Sequence, residues 1–73
     1  MKLQNNIRKL RFEHGEMSQQ QLADLIGVSR MTIYSIEKGN YVPSTVLALR
    51  ISQVFKKPVE EIFTLAPEKE DKK

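Results

Sequence analysis

Cysteine is absent from this 73-residue sequence, and histidine occurs once, at His14. That absence removes disulfides, iron–sulfur clusters, thiolate zinc sites and a cysteine nucleophile together. His14 has no partner for a metal site and reads as a solvated residue at a helix end. Long apolar runs are also missing: none approaches the ~18 residues of a membrane span, and no signal-peptide core follows Lys2. The expected location is therefore cytoplasmic, with no membrane partner. A chain this short forms one domain at most and buries only about 60% of its unfolded surface, which leaves little room for an enclosed catalytic pocket. With neither a nucleophile–base pair nor paired ligands, no enzyme and no cofactor are expected.

What is present is a modest positive charge, +3, with a pI near 9.4. Such a bias suits a polyanion without identifying one. Its distribution says more. The tail "PEKEDKK", residues 67–73, balances three lysines against three acids. The surplus therefore sits on residues 1–66, with Lys2, Arg8, Lys9, Arg11, Arg30, Arg50, Lys56 and Lys57 among its cations. The expected organisation is one folded domain over 1–66 followed by a charged, disordered tail.

Caps and apolar spacing predict five short helices. The first runs from about Asn5 to His14, with Ile7 and Leu10 one turn apart and Gly15 ending it. The second opens at Ser18, where Gln21 gives the spacing of a capping box, and buries Leu22, Ala23 and Ile26. Gly27 supplies the left-handed turn. The third starts at Ser29, buries Ile33 and Ile36 and stops at Gly39, leaving Arg30, Met31, Tyr34 and Ser35 on its other face. The fourth runs from Ser44 to about Phe55 on a stripe of Leu47, Ala48, Ile51, Val54 and Phe55. The fifth, "PVEEIF", begins with a proline where proline is tolerated. No segment alternates as a strand before the last few residues of the domain, so the fold class is all-α.

Two helices joined by a short turn, with alanine early in the first and glycine in the turn, form a helix-turn-helix. Caps, glycine, apolar spacing and helix lengths all agree over "SQQQLADLIGVSRMTIYSIEKG". The chain resembles the Cro/C1-type (XRE) helix-turn-helix family of phage repressors and small bacterial and archaeal regulators. The similarity continues through "YVPSTVLALRISQVFKKPVEEIF" and so spans about residues 5 to 63. It implies a five-helix, lambda-repressor-like DNA-binding domain.

The resemblance also implies roles residue by residue. Gln19, at the start of the second helix, meets the phosphate backbone. Ser29, Arg30, Met31 and Thr32, with Tyr34 and Ser35 further along, enter the major groove. Lys38, Asn40 and Tyr41 contact phosphate from the loop that follows. Arg11 and Glu37 occupy the positions of a buried ion pair linking the first and third helices. Arg30 can read guanine or clamp a phosphate, and Tyr34 can offer its hydroxyl to phosphate or simply pack its ring.

Three departures from the family pattern stand out. Glu16 and Met17 lengthen the loop after Gly15, so Met17 is expected to fill the apolar site before Ser18. Lys56 stands where relatives often carry glycine, which predicts a left-handed residue at the end of the fourth helix. Met31 replaces a common glutamine, and a thioether can make only apolar contacts, such as one with a thymine methyl.

Leu3, Phe63 and Leu65 are apolar residues near the two ends. In some small relatives the termini pair as a short antiparallel β ribbon that helps build a dimer; packing within one chain is the alternative. A monomer neutralises few phosphates, and a two-fold dimer on an operator of two half-sites doubles them. The expected function is a sequence-specific, homodimeric regulator of transcription binding double-stranded DNA, most simply a repressor. An antitoxin-like protein that binds a toxin and its own operator is the runner-up.

Overall fold

The computed structural model describes residues 2–66; the tail expected over 67–73 lies outside them. Seven elements follow in order: β1 (Lys2–Asn5), α1 (Ile7–Glu13), α2 (Gln19–Ile26), α3 (Arg30–Lys38), α4 (Thr45–Phe55), α5 (Val59–Ile62) and β2 (Phe63–Ala66). Three of the helices begin at a serine whose hydroxyl accepts from the backbone three residues on: Ser18 from Gln21, Ser29 from Thr32 and Ser44 from Leu47. Ser18 and Gln21 close a full capping box, with the Gln21 side chain returning to the Ser18 amide at 2.8 Å. Each bond satisfies an amide that the helix start would otherwise leave without a partner.

The helix ends use the left-handed region. Gly27 (φ 80°) and Gly39 (φ 85°) adopt it at no steric cost. Lys56 adopts it with a side chain, at φ 57° and ψ 43°, while its amide bonds to the Ser52 carbonyl. Ser52 in turn donates its hydroxyl to the Lys57 carbonyl, which pins the turn. Lys56→Gly should therefore change stability by less than about 1 kcal/mol, in the neutral-to-stabilising direction, because relief of strain offsets the entropy glycine adds to the unfolded chain. A urea melt measures it, and a loss above that figure would count against the strain argument.

The core is aliphatic. Ile7, Leu10, Leu22, Ala23, Ile26, Ile33, Ile36, Ile51 and Ile62 are almost fully buried around the ring of Phe55. Burying each leucine or isoleucine side chain contributes about 1.5–3 kcal/mol, so the periodic stripes of four helices supply most of the stability. Ala23 is fully buried on the inner face of α2. Met17 packs against this core as expected, after two consecutive left-handed residues, Gly15 and Glu16.

The two ends form the short antiparallel ribbon that the resemblance offered. β1 and β2 pair antiparallel within one chain, with Leu3 opposite Leu65 and Asn5 opposite Phe63. This ribbon shortens α1, which starts at Ile7 and not near Asn5. The Asn5 amide donates to the Ile36 carbonyl at 2.9 Å, and its oxygen accepts from the Ile7 amide. Asn6 is anchored to the end of α5 by its backbone amide on the Ile62 carbonyl and its side chain on the Glu61 carbonyl. α5 is likewise shorter than "PVEEIF": Pro58 is its cap, and Phe63 is already extended at φ −117° and ψ 131°.

Candidate nucleic-acid interface

α3 has two unlike faces. Ile33 and Ile36 are buried, whereas Met31, 56% exposed, and Tyr34 and Arg30 face outward. Spacing of 3.6 residues per turn makes this division unavoidable once the isoleucines enter the core. Met31, Thr32 and Ser35 share a shallow hollow of about 310 Å³ with Asn40 and Tyr41 of the following loop. Ser29 is less free than its neighbours. Its hydroxyl oxygen caps the Thr32 amide at 3.2 Å and lies 3.0 Å from the Thr32 hydroxyl, so the two side chains are first of all a helix cap.

Glu37, on the inner edge of α3, collects donors from both other helices of the face. Arg11 Nε donates to its Oε2 at 2.7 Å and Arg11 Nη2 to its Oε1 at 3.1 Å, a two-bond fork from α1. Gln19 Nε2 donates to Oε1 at 3.1 Å from the first residue of α2. Arg11 Nη1 completes the arrangement on the Met17 carbonyl at 2.8 Å. One carboxylate therefore ties α1, α2 and α3 together. Both charged side chains are about nine-tenths buried, so solvent screens the pair little.

Beside this pair a larger hollow of about 630 Å³ opens between α1, the start of α2 and α3. Arg8, Arg11, Arg30 and Lys38 line it, and Glu37 is the one carboxylate among the described residues that do. Lys38 Nζ stands 5.8 Å above the Tyr34 ring, and Arg8 Cζ stands 5.7 Å above the Phe12 ring. Arg8, Phe12 and Gln20 were not among the site residues expected from sequence. The i, i+4 spacing of Arg8 and Phe12 was the available signal, since it matches that of Tyr34 and Lys38.

A family model described as Helix-turn-helix matches residues 7–62, well over half of the chain. This protein belongs to the Cro/C1-type helix-turn-helix family. It is a DNA-binding transcriptional regulator, in a family of regulators and not of enzymes. The regulator is 42% identical over 66 residues to the uncharacterized HTH-type transcriptional regulator YgzD of Bacillus subtilis, covering 90% of this chain and 98% of YgzD. It is 45% identical over 60 residues to an uncharacterized HTH-type transcriptional regulator of Methanothermobacter thermautotrophicus, covering 81% of this chain and 86% of the relative. A putative HTH-type transcriptional regulatory protein of Pyrococcus horikoshii, PH1808, shares 42% identity over 53 residues, 73% of this chain but 16% of that longer protein. Among the described residues, no helix is long and apolar enough to cross a membrane.

The ends of the regulator carry the residues expected at a dimer interface. Leu65 is 62% exposed and Leu3 is half-buried, but Phe63, 9% exposed, belongs largely to the core of its own chain. Val46 and Leu49 on α4 are also exposed. Leu49, Leu3 and Phe63 line one hollow of about 360 Å³ together with Ala48 and Val59.

Proposed function

We propose that the regulator acts as a homodimer on a two-fold operator, placing α3 of each protomer in the major groove and repressing by promoter occlusion. The observation that carries this reading is the outward face of α3, where Arg30 and Met31 are exposed while Ile33 and Ile36 are buried in the core. Met31 meets a base edge, and Arg30 donates its fork either to a guanine or to a phosphate at the groove edge. Thr32, Tyr34 and Ser35 line the groove wall, and Ser29 acts through the cap that sets the helix start. Gln19, Lys38, Asn40 and Tyr41 contact phosphates. Glu37 holds only one amide hydrogen of Gln19, so the other serves a phosphate.

Dimerisation rests on Leu49, exposed on α4 where it lines one hollow with Leu3 and Phe63, and on the exposed Leu65 of β2. An apolar patch of this kind marks an interaction surface, and a second copy supplies its own complement across a two-fold axis. A dimer also doubles the phosphates neutralised.

Selection from random duplex DNA tests the whole reading. It should enrich an inverted repeat whose half-sites are about 34 Å apart, one helical turn. Recovery of no sequence preference would overturn it. In parallel, sedimentation should give twice the chain mass of 8.5 kDa. Leu49→Glu combined with Leu65→Glu should return it to the chain mass. A parent that sediments as a monomer both free and on DNA would sink the dimer.

A further inference from the structure

The groove face has a rim that the expected site residues do not use. Phe12 is 54% exposed on α1, and a single exposed ring needs no explanation by itself. Its position does, because the guanidinium of Arg8 lies over its face and both residues line the basic hollow that also holds Arg30 and Lys38. We infer that Arg8, carried on the Phe12 ring, grips a backbone phosphodiester of the operator seated in this hollow. The inference rests on the DNA-binding mode proposed above and adds α1 to it.

Three observations support the assignment. The same device occurs twice around one hollow: Arg8 over Phe12 from α1, and Lys38 over Tyr34 from α3. In each pair the ring precedes or follows the cation by one helical turn, so helix geometry aims both cations without any long-range contact. Glu37, the only carboxylate among the described residues that line the hollow, already accepts from Arg11 and Gln19. Among the described residues, no second acid lines the hollow to compete with an anion for its remaining cations. Finally, the chemistry matches: a planar guanidinium presents a fork of N–H donors to phosphate oxygens, and a ring beneath it limits the rotamers lost on binding.

The test compares Arg8→Gln, Arg8→Lys, Phe12→Leu and the Arg8→Gln, Phe12→Leu double variant on the selected operator and its single-base variants at several salt concentrations. Lys9→Gln is the control, since Lys9 is an exposed cation on the same helix that does not line the hollow. Arg8→Gln should weaken binding to every sequence alike, about tenfold per half-site, as for one charge-assisted hydrogen bond. The salt slope should shrink by about 1 per half-site. Arg8→Lys should keep the parent slope. Phe12→Leu should lose about two- to five-fold, and that loss should vanish in the Arg8→Gln background, because the ring acts only through the guanidinium.

Arg8→Gln behaving like Lys9→Gln, or an undiminished Phe12→Leu effect in its background, would overturn the inference. Should Arg30→Ala still weaken binding in that case, the groove reading stands and only the role of Arg8 falls. If the parent protein selects no duplex, both fall together.

Discussion

Arg11→Ala is expected to lower the unfolding free energy by about 3–5 kcal/mol, and Glu37→Ala by a similar amount. The arginine side chain is 9% exposed and the glutamate 10%, so removing one partner leaves the other charged and desolvated. Arg11→Ala also strips the Met17 carbonyl of its donor, and Glu37→Ala releases Gln19. For a domain of this size the total stability is on the order of 4–11 kcal/mol, so either variant stands close to unfolding. The melting temperature should fall by more than about 12 °C. Replacing both partners by apolar residues of similar volume should be milder, since no charge is then stranded. Thermal and urea melts of the three variants decide the matter. A single alanine variant that melts like the parent would show that the pair contributes nothing.

Arg30→Ala and Met31→Ala should separate what α3 reads from what it merely holds. If Arg30 donates its fork to guanine O6 and N7, the alanine variant should lose roughly 1–3 kcal/mol per half-site and relax preference at one base pair. If it clamps a phosphate, every sequence should weaken alike and the salt slope should shrink by about 1 per half-site. Two half-sites double either effect. Met31→Ala should instead reduce discrimination in favour of a thymine methyl, with the slope unchanged, because a thioether carries no charge. Both side chains are exposed, so the melting temperatures of both variants should match the parent's. Parent-like binding by both variants under all conditions would place α3 outside the groove.

Local rules made the helices legible in advance. A serine cap, a capping box, a left-handed glycine and a core stripe each depend on residues no more than about one turn apart, so the chain states them directly. Lys56 was legible through the resemblance: it stands where relatives often carry glycine, and Pro58 close behind it stops the helix. The outward face of α3 follows from two isoleucines and the helical period. The pairing of Arg11 with Glu37 was available only through resemblance, since no spacing rule joins residues on different helices.

The terminal ribbon was legible only through the resemblance, not through local pattern. "MKLQN" has no strong strand pattern, and Asn5 looks like the start of a helix; it is extended because Phe63 lies opposite it and the Ile36 carbonyl takes its amide. The shared hollow has the same origin. The sequence alone determined which residues cap, turn and line each helix, because those choices are made by neighbours within one turn. Only the tertiary structure decided that Phe63 is spent on its own core, that Gln19 joins Arg11 on one carboxylate, and that Arg8 on α1 faces Lys38 on α3. Those outcomes depend on how the helices dock, and docking is set by the summed burial of the whole core, to which no single stretch of sequence holds the answer.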